Sequence, residues 1–247
     1  MRGNECFKDA RRATIMISVI IPTLNEAELL PDTLSRIRVN TAAHEILVVD
    51  GGSGDETVRL AEAGGARVIN SPRRRRATQM NLGAQHARGD VFLFLHADTW
   101  IGPGALDRIA KALGNPGVVG GAFARQFRDP SLLLRLTCCI GECRSRLLGW
   151  FYGDQGIFVR RITFERMGGF QDMPLFEDVD FARRMARQGR VVTLRPKVIS
   201  SGRRFTVRGP LVTAMSDIWL TLRYFAGADP GRLASKLRQE RKPSDGG

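Results

Sequence analysis

The sequence predicts an α/β fold: a mixed, mostly parallel central sheet flanked by helices, with further helices at the C-terminal end. Three observations predict it. Short β-branched apolar runs recur along the chain. Segments with apolar residues at helical spacing alternate with them, the pattern of a parallel sheet with right-handed crossovers. Acidic residues stand just beyond the strand ends, where open α/β sheets collect ligands.

The elements follow in order. Residues 17–22 (ISVIIP) suit a buried parallel strand. Leu30, Leu34 and Ile37 then recur at helical spacing. A strand at 46–49 ends in Asp50, and the glycines of GGSGDET make a tight turn. Ser53 and Glu56 have capping-box spacing for the next helix. A short strand is expected at 66–70, a helix at 77–87 and a buried strand at 91–95. A helix near 103–113 follows, with Gly114 placed to stop it. The second half begins with a strand at 118–123 and a helical segment at 131–150. Residues 152–161 (YGDQGIFVRR) read as a loop leading into a strand. A helix at 176–188 carries Phe181 and Met185 four apart. A strand at 191–194, an apolar-rich helix at 211–225 and a short helix at 233–238 complete the reading. Residues 1–15 are expected to be a disordered extension, with Met16 as an alternative start, and 241–247 a disordered tail.

With 247 residues, 43% of them hydrophobic, the chain has enough material for one large α/β domain or two small ones. The formal charge of +13, from 38 basic and 25 acidic residues, favours anionic partners: nucleotides, nucleic acid, phospholipid head groups or pyrophosphate lipids. An arginine-rich proteome would leave the same balance. Cys6, Cys138, Cys139 and Cys143 show no zinc-site spacing and read as reduced thiols of a cytoplasmic protein. No apolar run approaches the roughly 20 residues of a spanning helix. The polar start, MRGNECFKDARRAT, is unlike a secretory signal.

Asp50, Asp98 and the pair Glu177–Asp178 are the acids placed to carry chemistry. Singly, such residues are as often turn formers or helix caps. GGSGDET lacks the lysine of a phosphate loop and the spacing of a dinucleotide fingerprint. HADTW lacks the first aspartate that phosphatase chemistry would want, since His96 stands there.

The stretches IIPTLNE, VVDGGSGDET, MNLGAQHARGDVFLFLHADT, GDQGIFVRR and FEDVDFARR, in this order from Ile17 to Gln188, resemble a family 2 glycosyltransferase with the GT-A fold. The later details PLFEDVDFARR and SSGRRF are similar to a bacterial subfamily of unassigned substrate. The resemblance implies a GT-A catalytic domain over 16–205, followed by a helical segment over 206–240. It implies inverting transfer of a sugar from a nucleotide-diphospho-sugar. Under it, Asp50 contacts the donor base, while Pro22, Leu24, Asn25 and Glu26 line the nucleotide pocket. Arg76, Gln79 and Asn81 reach the ribose and diphosphate. His96-Ala97-Asp98 stands at the family's Asp-X-Asp motif, so Asp98 is the expected ligand of Mg2+ or Mn2+. Asp178 stands at the catalytic base.

The chemistry is consistent with these roles. A divalent ion stabilises a departing diphosphate, and hard cations take carboxylate oxygens. A carboxylate on the opposite face of the sugar can remove the acceptor proton. His96 departs from the motif and either binds the metal, bonds the donor ribose or merely packs. The family often supplies a later histidine to the metal; SSGRR takes that place here, and only His44, His86 and His96 exist. Arg203 or Arg204 could neutralise diphosphate instead. Glu177 could tune Asp178 or bind acceptor. Asp154 and Gln155 could bind substrate or shape a turn. Asp180 reads as a first-turn acid or an ion-pair partner of Arg183 or Arg184. Residues 73–76 (RRRR) read as a phosphate-facing loop rather than a nucleic-acid patch, because no aromatics interleave.

The expected acceptor is unknown, with a lipid or polyprenyl phosphate among the candidates. The helical segments at 131–150 and 211–225 suit a peripheral contact at the inner face of a membrane, ordinary core packing or a homodimer contact. Two other classes stay open: a nucleotidyltransferase, disfavoured because PTLNEAE is not a Gly-rich basic loop, and a non-catalytic nucleic-acid-binding protein motivated by charge.

Overall fold

The computed structural model describes residues 15–128, 131–203, 205 and 209–241. The expected extension, apart from Ile15, lies outside the described residues, as do Cys6, Arg204 and the tail beyond Arg241. The strands are β1 (Ile17–Thr23), β2 (His44–Asp50), β3 (Arg67–Asn70), β4 (Val91–Phe94), β5 (Thr99–Trp100), β6 (Val118–Phe127), β7 (Ile157–Arg160) and β8 (Arg190–Ser200). The helices are α1 (Leu30–Arg38), α2 (Thr57–Ala63), α3 (Arg76–His86), α4 (Ala105–Leu113), α5 (Leu132–Leu148), α6 (Arg161–Arg166), α7 (Glu177–Ala186), α8 (Pro210–Phe225) and α9 (Pro230–Arg241).

The eight strands among the described residues join one sheet in the order β3-β2-β1-β4-β7-β6-β8-β5. The pairs β1/β2, β1/β4, β2/β3 and β6/β8 are parallel. The pairs β4/β7, β6/β7 and β5/β8 are antiparallel. The sheet is therefore mixed and mostly parallel, as expected. Between β1 and β4 the chain changes direction across the sheet, which opens a crevice at their carboxyl ends.

Both faces of the middle of the sheet are covered, which is why β1, β4 and β7 are mostly apolar and buried. Side chains alternate across a strand. Ile17, Val19 and Ile21 of β1 pack with Leu34 of α1 and Ile109 of α4. Ile20 points the other way, into a layer with Phe92, Phe94, Met80 of α3 and Phe181 of α7. That layer holds a knot of rings. Phe170 and Phe181 stack at 4.1 Å, and Phe94 meets Phe170 edge-on at 4.8 Å. Such pairs add about 0.5–1.5 kcal/mol each beyond burial. They seat α7 on β4, and so fix its first turn, which carries Asp178.

Three local expectations change. Helix α2 starts at Thr57, and no side chain caps it; Ser53 bonds elsewhere, so the capping box does not form. Strand β8 runs well beyond 191–194, with a register shift against β6 near Pro196. Strand β5 and helix α6 are additional elements.

Candidate active site

Register sets the site's first wall. β1 pairs with β2 so that Thr23 lies beside Asp50 at the ends of both strands. Asp50 is 2% exposed. Its Oδ1 accepts from Thr23 Oγ1 (3.0 Å) and Ser53 Oγ (2.5 Å), its Oδ2 from the Gly52 and Ser53 amides (2.8 and 2.7 Å). A carboxylate offers about four lone-pair positions, and all are engaged in shaping this turn.

The turn is then joined to the loop after β1. The Asn25 amide donates to Ser53 Oγ (2.8 Å), and the Gly54 amide to Asn25 Oδ1 (2.9 Å). The Glu26 amide donates to Thr57 Oγ1 (2.8 Å). Asn25 adopts a left-handed backbone (φ 54°), which asparagine tolerates better than most residues. Pro22 and Leu24 flank this double loop, with Leu24 exposed. Above it, Arg74 donates to the Gly52 carbonyl (3.3 Å), while Arg73 and Arg75 pair with Asp172 (3.6 and 3.1 Å).

The second wall follows from β5. Its pairing of Thr99 with Ser200 brings Ser201 over Asp98. Ser201 Oγ donates to Asp98 Oδ2 (2.7 Å). Arg203 Nη2 lies 2.7 Å from Glu26 Oε2 and 3.7 Å from Asp98 Oδ2. One guanidinium thus spans two carboxylates. Burial raises the Glu26 pKa, Arg203 draws it back, and the Asp98 charge adds to the rise. Among the described residues no three His, Cys, Asp or Glu side chains converge as a metal cage. The donor chemistry still fits a hard cation. Mg2+ is commonly bound through one or two carboxylates plus substrate phosphates, and Asp98 and Glu26 are such carboxylates.

The third wall is built by antiparallel β4/β7 pairing. Phe94 opposite Ile157 sets the turn Gly153–Gln155 against the residues after β4. The Gly153 amide donates to Asp178 Oδ2 (2.5 Å), and the Val179 amide to Asp178 Oδ1 (2.7 Å). A Cβ added to Gly153 would sit 2.6 Å from His96 Nε2 and 3.3 Å from Asp178 Oδ2. Any larger residue there would have to displace the His96 ring. His96, Asp178, Gly153 and Arg76 line one small cavity. His96 is therefore set against Gly153 and Asp178, while Asp98 is set against Ser201 and Arg203.

Asp178 keeps part of its surface on the cavity but is otherwise surrounded by protein. Desolvation, and then the Glu177 charge, raise its pKa to about 7, against the pull of the Gly153 amide and Arg76. Glu177 is buried and lies 3.4 Å from Arg76 Nη1. Asp180 pairs with Arg184 (2.7 Å), one of the two partners expected for it.

Several expected contact residues are engaged elsewhere. Gln79 is 5% exposed, and its Nε2 donates to the Thr23 and Val49 carbonyls (both 2.8 Å). It ties β1 to β2 beneath the crevice. Asn81 exchanges two hydrogen bonds with the Phe170 backbone (both 2.8 Å). The Ala97 side chain is buried, and its carbonyl accepts from Thr33 Oγ1 (2.6 Å). Asp154 forms an ion pair with Arg125. Gln155, 3% exposed, accepts from the Tyr152 amide (2.9 Å) and donates to the Phe123 carbonyl (3.1 Å). These five hold the walls in place. Ser53, Thr57, Ser201 and Gly153 also build the site; from sequence alone Ser53 reads as a helix cap and Ser201 as part of SSGRR, and Thr57 and Gly153 are given no role there.

Residues 18–166 match the family model described as Glycosyl transferase family 2. An undecaprenyl-phosphate 4-deoxy-4-formamido-L-arabinose transferase of Klebsiella pneumoniae subsp. pneumoniae is 33% identical over 157 residues, covering 58% of this chain and 47% of that protein. The chain spans about half the length of the curated relatives it matches. A mannosyltransferase from Pyrobaculum calidifontis, solved in complex with GDP-Man and Mn2+, shares its fold with a TM-score of 0.63 at 24% identity, over 75% of this chain and 56% of that one. S. aureus TarS 1-349 gives 0.64 at 17% identity, over 76% and 61%. The architecture is the GT-A fold.

Proposed function

We propose, from the premise that this chain belongs to glycosyltransferase family 2 and is a glycosyltransferase, that it moves one sugar from a nucleotide-diphospho-sugar donor with inversion at the anomeric carbon. The observation that carries this reading is that two acids are held by separate partners on either side of the residues that follow β4. Asp98 is held by Ser201 beside Arg203, and Asp178 by Gly153 beside His96.

The joined loops 22–26 and 50–57 receive the nucleotide. Asp50 acts mainly by holding that receptor's shape, and it reaches a base N–H only by exchanging one of its bonds. Arg203 and Arg76 supply positive charge along the diphosphate, for which guanidinium is well suited. Asp98, with Glu26, would hold Mg2+ or Mn2+; when bound, the ion would neutralise charge growing on the leaving diphosphate.

Asp178, once deprotonated, accepts the proton of an acceptor hydroxyl. The acceptor oxygen forms its bond to the anomeric carbon as the bond to the diphosphate oxygen breaks. The electron pair leaves on the diphosphate, and the proton ends on Asp178. Attack in line with departure inverts the carbon. If the acceptor is already an ionised phosphate, Asp178 orients it rather than deprotonating it. A lipid or polyprenyl phosphate acceptor is supported by the similarity to undecaprenyl-phosphate 4-deoxy-4-formamido-L-arabinose transferases.

A thermal-shift screen of UDP-, GDP-, CMP- and dTDP-sugars with and without Mn2+ tests the donor half. One donor class should raise the melting temperature, more so with Mn2+, and Asp98→Ala should remove the Mn2+ increment. Equal response of wild type and Asp98→Ala to Mn2+ would remove Asp98 from the metal role.

A further inference from the structure

Helix α8 is amphipathic in the reverse sense. Its buried side carries Thr213 and Ala214 besides Leu220, and its exposed side is apolar, with Met215, Ile218, Trp219 and Leu222 40–64% exposed. Helix α5 touches it and shows a second apolar stripe. Leu132, Leu136, Ile140 and Leu147, spaced along one helix face, are 57–84% exposed. Contiguous exposed apolar surface of this kind marks an interaction site.

The rim identifies the partner. Lys236 and Arg223 lie over the Trp219 ring at 4.3 and 5.7 Å from its centre. Arg135 and Arg146 border the α5 stripe. Glu142, the acid of α5, is already held by Arg146, Arg195 and Lys197. A tryptophan flanked by cations beside exposed leucines suits the head-group layer of an anionic bilayer. A second copy of the chain would instead bring one basic rim against another, in a protein of net charge +13. No helix among the described residues is long and apolar enough to cross a membrane, so the contact would lie in the interface.

The other face of α8 leads to the site. Tyr224 stacks on Phe176, the residue before α7, at 4.6 Å, and Thr221 Oγ1 lies 3.1 Å from the Tyr152 hydroxyl, next to Gly153. We propose that the exposed faces of α5 and α8 bind an anionic membrane surface and present the Asp178 side of the site to an acceptor carried in it. The surface stands on its own observations; the acceptor's path rests on the function proposed above.

Sedimentation of the full chain with vesicles tests the proposal. Binding to phosphatidylcholine–phosphatidylglycerol vesicles should exceed binding to phosphatidylcholine alone and should weaken with salt. Met215→Glu combined with Leu222→Glu should lower partitioning on the order of a hundredfold, from lost apolar burial and added repulsion. Leu136→Glu on α5 should lower it independently. Each variant should melt like wild type and bind donor nucleotide unchanged. No vesicle binding by the intact chain overturns the proposal. So does binding that the substitutions leave intact, or a dimer in ultracentrifugation that the same substitutions dissociate without any vesicle binding. Vesicle binding that persists in a chain unable to bind any nucleotide-sugar would keep the surface and reject the enzymatic reading instead.

Discussion

The two walls of the crevice that the proposed function assigns to donor and acceptor are built on opposite terms. On the donor side the polar groups satisfy each other: Asp50 accepts four bonds, Gln79 donates to two carbonyls, and Asn25 clasps Ser53 and Gly54. On the acceptor side Asp178 is desolvated next to another carboxylate, and α5 and α8 leave apolar faces uncovered. A wall that binds the same moiety each time can be closed in advance. A wall that must take up a proton and admit a second substrate keeps its acid poised and its surface open.

The contrast can be broken by substitution. Asp178→Asn keeps the shape and an acceptor for one of the two amides, Gly153 and Val179, but cannot take a proton; transfer to a hydroxyl acceptor should fall by about 10²–10⁴-fold in a steady-state assay, with donor affinity kept. Phe181→Ala removes a fully buried ring from the cluster under α7. It should cost about 3–5 kcal/mol in denaturant unfolding, and it should blur the acceptor wall first. Gln79→Ala removes the side-chain donor shared by two buried carbonyls, of which that of Thr23 keeps the Gly51 amide, costing about 0.5–1.5 kcal/mol by the same measurement. Asp32→Ala, at an exposed i,i+4 pair with Arg36 far from either wall, should change stability by less than about 0.5 kcal/mol.

The raised pKa of Asp178 gives a pH signature with a definite sign. Between the ordinary carboxylate value of 3.8 and about 7 the folded chain holds a proton there that the unfolded chain releases. Stability should therefore decline as pH rises across that window. Asp178→Asn should melt higher than wild type at pH 8 and nearly the same at pH 4, as scanning calorimetry can show. Transfer to a hydroxyl acceptor should rise with pH through about 7, where Asp178 becomes a base.

The parallel strands were legible because a sheet covered on both faces writes itself as uninterrupted apolar runs, such as ISVIIP and FLFL. Strand β8 was cut short in the reading because Pro196 and its charged neighbours look like an end, whereas the sheet accommodates them at a register shift. Two-residue β5 and six-residue α6 are too short for any period to show. At the site, the acids were legible from their place after strands and from the family resemblance. Their partners were not: Ser201 meets Asp98 only through the β5/β8 pairing, and Gly153 meets Asp178 only because β7 runs antiparallel to β4. Gln79, Asn81, Ala97 and Gln155 lie in motif positions, yet burial and backbone partners assign them to holding the walls.

The most direct measurement pairs donor binding with transfer for Asp178→Asn, by calorimetry and a single-turnover assay on the same preparation. If Asp178 is the acceptor-side base, the variant binds the nucleotide-sugar as tightly as wild type and transfers about a hundredfold more slowly or worse, without the pH rise near 7. Wild-type transfer rates with an unchanged pH profile in that variant would contradict it.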